Sequence, residues 1–170
     1  VKALKLPEAS IDSAMINFAI HYICHSALPE QKEPLKEFVD FVKYNIKTGG
    51  RILITSFIGE DVFKLVKDSG EWNVKENNRI KYSIKREFSS DTFTNADQAV
   101  GVLLPFSDGH HYSEYLVNYN YLQELFESNG FKLMKTDGFE SLFRAYKKAN
   151  AKGFSMMTDA DKSYVSMYGY

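Results

Sequence analysis

One cysteine, Cys24, occurs in 170 residues. That excludes a disulfide framework and a thiolate metal cluster, and it fits a reducing, intracellular setting. A charge excess is also missing, with 21 basic residues against 22 acidic ones for a formal net charge of −1. A protein that coats nucleic acid along its length would be plainly basic, so that class is excluded, whereas a pocket for one end group is not. No stretch approaches the roughly 20 apolar residues needed to cross a bilayer, so no membrane role is expected. There is no internal repeat and no low-complexity tract. What is present is 44% apolar and 15% aromatic, enough to bury a core in one domain or most of one.

Ser13 to Ile20 is a nearly continuous apolar run, the pattern of a strand buried on both faces. Pro34 opens a predicted helix with Leu35, Phe38, Val39, Val42 and Ile46 on one stripe, and Gly49-Gly50 is expected to end it. Arg51 to Ser56 predicts a second buried strand, and Glu60 to Lys67 a short helix. This order argues for a parallel sheet with crossover helices. The pattern then changes. Ile80, Tyr82, Ile84, Arg86 and Phe88 alternate with polar residues, the period of a strand with one wet face. Ala99 to Phe106 is its expected partner, and Tyr112 to Val117 follows an Asp108-Gly109 turn. A helix is predicted over Tyr119 to Asn129, closed by Gly130. After it come an expected strand over Phe131–Lys135, a helical patch near Leu142–Lys148, a flexible connection over Ala149–Gly153 and a terminal strand within Tyr164–Tyr170. Parallel βα units followed by antiparallel strands make an α/β domain.

Four segments carry a family resemblance. Asn17-Phe18-Ala19-Ile20-His21-Tyr22 resembles the segment of mRNA cap guanine-N7 methyltransferases in which a small amide, a phenylalanine and a His-Tyr pair close the fourth strand. The turn into Gly49-Gly50-Arg51-Ile52-Leu53 resembles the glycine turn of class I methyltransferases. Glu114-Tyr115-Leu116-Val117, followed by a helix and Gly130-Phe131, is similar to the family's acidic-aromatic-Leu-Val segment. Ser166-Met167-Tyr168 falls where the family carries a tyrosine on its last strand. Cellular members usually have a proline where this chain has Ser56-Phe57-Ile58-Gly59, a variant more similar to capping enzymes of large DNA viruses.

The resemblance implies an α/β fold of the class I, Rossmann-like, S-adenosylmethionine-dependent type, of which residues 1–170 would be the C-terminal part. The family's glycine-rich cofactor loop and acidic ribose ligand would then lie upstream, and other capping domains are expected in the same polypeptide. The implied cofactor is S-adenosylmethionine and the implied partner is 5′-capped RNA with a GpppN end. The implied setting is the host cytoplasm or virion for a viral protein and the nucleus for a cellular one.

Guanine N7 carries an in-plane lone pair and needs no general base, so no residue is expected to act by direct chemistry. Alignment of nucleophile, methyl and leaving sulfur supplies the acceleration. A carboxylate suits the opposite guanine edge, where N1–H and the exocyclic amine are two parallel donors. The resemblance points to Glu114 for that role and to His21 as a donor to O6. Tyr22 and Tyr168 would offer ring faces and hydroxyls to the cap, with Asn17 and Phe18 on the cofactor side. Taken singly, each has a plainer reading: His21 as a structural residue, Glu114 as a solvated strand position, Tyr168 as core, Asn17 as a strand cap. His110-His111 has no partner at metal-ligand spacing, Lys147-Lys148 suits a solvated helix face, and Cys24 suits packing. A catalytically silent methyltransferase-like binding or stimulatory module is the alternative at the level of function, and a methyltransferase for a small molecule is a third.

Overall fold

The computed structural model describes residues 6–29 and 31–170. Strand β1 (Ile11–Asn17) runs into a short 3-10 helix, Ile20–Ile23. Helix α1 (Pro34–Asn45) leads to β2 (Ile46–Phe57), which lies parallel to β1 with Ala14 opposite Ile52 and Ile16 opposite Ile54. Helix α2 (Gly59–Val66) precedes an antiparallel sheet of β3 (Glu71–Glu76), β4 (Arg79–Arg86), β5 (Ala99–Leu103) and β6 (Tyr112–Tyr115), in that spatial order. Then follow α3 (Tyr119–Ser128), α4 (Phe143–Ala149), α5 (Ala151–Met156), α6 (Asp159–Val165) and β7 (Tyr168–Gly169). β7 pairs antiparallel with β2, giving a mixed sheet of order β1-β2-β7. The α/β class and the sequence of parallel then antiparallel strands are as expected. Among the described residues no helix is long and apolar enough to cross a membrane.

Two cores organise these layers. α1 begins on a proline, whose missing N–H costs nothing in a first turn, and buries Leu35, Val39 and Val42. Leu35 joins Ile20, Val117 and Leu122 in one core, with Ile16 and Ile54 of the parallel strands packed on it. α2 buries Val62, Phe63 and Val66 against Ile84, Val100 and Val102 of the antiparallel sheet, and against Leu116 just beyond it, in the other. Leu116 and Val117 are neighbours in sequence yet enter different cores, because successive side chains of an extended segment point opposite ways. Gly59 opens α2 hard against that segment. A Cβ there would sit 2.3 Å from the Val117 carbonyl oxygen, and backbone cannot yield as a flexible side chain does. Gly59→Ala is therefore expected to cost about 1–3 kcal/mol, readable as a lower urea midpoint with an unchanged slope.

Several expectations are corrected. Among the described residues β1 and β2 bury one face, not two: Met15 is 64% and Leu53 39% exposed. β1 ends at Asn17 rather than Ile20 because Phe18 turns the chain with φ 50°. α1 stops at Asn45, and Ile46 already pairs with Ile11, so Gly49-Gly50 lies in a bulge of β2 rather than at a helix cap. β3 went unpredicted, yet it is held by a tight turn at Asn77 and Asn78, both left-handed (φ 51° and 62°). Phe131–Lys135 forms no strand. Shortly beyond it, a bridge joins Gly138 to Gly169. The expected connection over Ala149–Gly153 is helical, since Asn150 caps α5, and the expected terminal strand shortens to Tyr168–Gly169 because α6, opened by the reciprocal capping box of Thr158 with Asp161, runs on through Tyr164 and Val165.

Candidate functional site

β1 and β2 finish side by side at the edge of the parallel pair, with Asn17 opposite Thr55, the place where open α/β sheets leave a crevice. Phe18 occupies the left-handed region there, a conformation that costs on the order of 1–3 kcal/mol in a non-glycine residue. Two contacts hold it. The Phe18 N–H donates to the Thr55 carbonyl at 2.9 Å, and the Thr55 hydroxyl donates to the Asn17 side-chain oxygen at 3.2 Å. The sharp turn leaves the Phe18 ring 46% exposed and edge-on to Tyr168, with centroids 5.0 Å apart.

The 3-10 helix follows at once. Ile20 anchors it in the core, and the next residue, His21, is 6% exposed. Its Nδ1 lies 3.7 Å from Oε2 of Glu114. That is within Coulomb range but too long for a hydrogen bond. His21 Nε2 is buried with no hydrogen-bond partner among the described residues. Neither does the Glu114 carboxylate accept a hydrogen bond from them, although its side chain is only 14% exposed. A dominant ion pair would lower the carboxyl and raise the imidazole. Burial does the reverse to both, pushing Glu114 up to about 7 and His21 below its ordinary value. The cluster holds polar capacity that the protein itself does not use.

Glu114 is placed by its neighbours. β6 pairs with β5, Glu114 opposite Val100, and the chain beyond it is fixed by Leu116 and Val117 in their separate cores. His21 is tied to the same sheet from its own side. The Ser26 N–H donates to the Asp97 carboxylate at 2.7 Å, and the Asp97 N–H donates to the Cys24 carbonyl at 3.2 Å. Cys24 itself packs beneath, its thiol pushed up to about 12 by burial and by Glu33. Tyr22 is 63% exposed, with its ring 4.0 Å from that of His21. Tyr168 stacks on Phe57 at 4.2 Å and shares a 2.6 Å hydrogen bond with the Tyr164 hydroxyl. Burial raises both phenols, and the nearby Glu114 carboxylate adds to it.

The structure thus gathers His21, Tyr22 and Glu114 into one cluster and Phe18 with Tyr168 beside it, joined to Asn17 through Thr55. Three contributors were not singled out from sequence. Tyr164 was hidden by taking its segment for a strand, and the Thr158-x-x-Asp161 capping pattern is the signal that would have placed it on a helix. Thr55 and Asp97 act through contacts distant in sequence, which no local pattern announces. His111 lies apart and hydrogen-bonds Ser83, and no group of metal-ligating side chains occurs among the described residues.

No family model matches the chain. It is 31% identical over 169 residues to the mRNA-capping enzyme of African swine fever virus, isolate Pig/Kenya/KEN-50/1950, and equally to that of the strain Badajoz 1971 Vero-adapted. In both cases the match covers 96% of this chain and 19% of the viral protein. The chain therefore spans about a fifth of the length of these curated relatives, and it is similar throughout to one segment of a viral capping enzyme.

Proposed function

We propose that this chain forms the guanine-holding part of an mRNA cap guanine-N7 methyltransferase that uses S-adenosylmethionine, within a longer capping polypeptide working where viral transcripts are made. The observation that carries this reading is the buried His21–Glu114 cluster, with an unpartnered imidazole nitrogen and a carboxylate that accepts no hydrogen bond. Guanine supplies what both lack. Its N1–H and exocyclic amine donate to the two Glu114 oxygens, and its O6 accepts from His21 Nε2–H. This requires the ionised carboxylate, and two donors in a water-poor site are what would stabilise it against the burial that now raises it. Similarity to viral capping enzymes over almost the whole chain supports a role in mRNA capping, within which this reading falls.

Asn17 and Phe18 fit one side of the cofactor. The Asn17 amide N–H group makes only a weak contact with the Met15 sulfur, 3.1 Å away, and the Phe18 ring is half-open at the crevice. When bound, S-adenosylmethionine supplies the electrophilic methyl group. The residues of this chain hold the guanine in its plane, aim N7 outward and shield it from water. As positive charge grows on the ring, Glu114 stabilises it more than it stabilised the ground state, which is the differential effect that accelerates a reaction.

His21→Ala in the full-length protein is the direct test. Loss of a hydrogen bond to a buried polar edge costs about 1–3 kcal/mol, so kcat/KM for capped RNA is expected to fall roughly 5- to 150-fold. Affinity for S-adenosylmethionine, followed by calorimetry, is expected to stay within a factor of about two because His21 faces the base. An unchanged kcat/KM would return His21 to a purely structural role.

A further inference from the structure

We infer that the exposed helical hairpin α4–α5 is a docking surface for the body of the transcript, a single-stranded polyribonucleotide running away from its capped end. This rests on the cap-binding reading of the His21–Glu114 cluster, to which it adds a second site. Neither helix contributes a single buried residue, so core packing does not account for their sequence. Leu142 to Met156 contains Arg144, Lys147, Lys148 and Lys152 and no acidic residue, in a chain whose overall charge is −1. All four are exposed, and among the described residues none of them takes part in an ion pair. Apolar side chains are interleaved with them at the surface: Leu142 is 39%, Tyr146 40% and Met156 72% exposed. The Lys147 and Lys162 ammonium groups are held over the Phe154 ring, 5.7 and 5.3 Å from its centroid, which keeps cations on this face rather than dispersed in solvent.

Cations placed around the exposed Tyr146 ring and the partly exposed Phe143 and Phe154 rings suit a flexible single strand, phosphates taking the former and bases stacking on the latter. Position adds to composition. The 3-10 helix Phe139–Leu142 runs directly into α4, and Phe139 lies 6.0 Å from the Phe18 ring and 6.1 Å from Tyr168. The basic face therefore starts at the rim of the proposed cap site. A chain leaving that site along it would pass Glu140 and then meet the positive charge of Arg144, Lys147, Lys148 and Lys152.

The test measures binding of an uncapped, 5′-hydroxyl single-stranded RNA by fluorescence anisotropy across a salt series. The full-length protein is compared with its R144Q/K147Q/K148Q/K152Q variant. Each phosphate contact to a single strand contributes about 0.7 to the slope of log affinity against log salt. The variant is expected to lose up to about 3 from that slope and at least about tenfold in affinity near 0.1 M salt. Affinity for the dinucleotide GpppA is expected to be unchanged, and K147R/K148R/K152R is expected to bind the strand as wild type does. Wild-type strand binding by the glutamine variant would overturn the proposal and leave the face to some other partner. So would an equal loss of GpppA affinity in that variant, since the two sites would then not be separate. Failure of the wild-type protein to bind GpppA would count against the cap site alone and leave the strand result intact.

Discussion

Glu114→Gln is expected to lower kcat/KM for a guanine cap by about 30- to 900-fold, on the order of 2–4 kcal/mol of transition-state stabilisation. The amide keeps the size of the side chain and one acceptor. It also turns an NH2 toward one of the two guanine donors and removes the charge that draws positive charge onto the ring. Because the loss arises at the base, binding of S-adenosylmethionine is expected to be unaffected. Substrate substitution separates this from general damage. An inosine cap lacks the exocyclic amine, so it is expected to be a poor substrate for the wild type and to lose far less on Glu114→Gln than the guanine cap does. Proportional losses on both caps would mean that the carboxylate does not face that edge, and the assignment of the pocket would go with it.

The same substitution is expected to change stability in the opposite direction. Burial holds the Glu114 carboxyl at about 7 against an ordinary 4.5, so the folded protein keeps a proton that the unfolded chain has released. Stability contributed by that proton is complete below pH 4.5 and is lost as pH rises through 7. The shift corresponds to about 3 kcal/mol. Glutamine does not titrate. The advantage of Glu114→Gln over wild type is therefore expected to grow by about 3 kcal/mol between pH 4.5 and pH 8, as measured by urea unfolding at each pH. The lowered His21 works the other way, its neutral form favouring the fold as pH rises toward 6.5, but it is present in both proteins and largely cancels in the comparison. Parallel stability profiles for the two proteins would show that Glu114 is not desolvated. Together the two results would describe a residue kept for binding at a cost to the fold.

Elements that announce themselves locally were legible in the sequence. α1 and α2 carry apolar stripes of period 3.6, and β4 and β5 pair as their alternation and spacing imply. The misreadings share a physical cause, which is that the deciding interaction lay elsewhere. β1 and β2 are apolar on both faces in sequence, but only contacts across layers settle which face is covered. Tyr164 and Tyr168 alternate with smaller residues as strand positions would, yet the capping box at Thr158 winds the segment as far as Val165 into helix. His21 and Glu114 were nameable through a resemblance carried by their flanking residues. Their 3.7 Å approach and the missing partner of His21 Nε2 belong to tertiary structure alone.

Leu116 and Val117, each rooted in a different core, fix the backbone just beyond Glu114 from two independent directions. On the proposed role of Glu114, the accuracy of base recognition would be inherited from hydrocarbon packing in both cores. A methyl group lost from Val62 in one core or from Leu122 in the other would reach the proposed guanine edge through the short backbone stretch that joins Glu114 to Leu116 and Val117. Under that role, substitutions remote from the proposed cap site would degrade fidelity while the protein still folds, and selection on recognition would be felt by interior residues that never meet RNA.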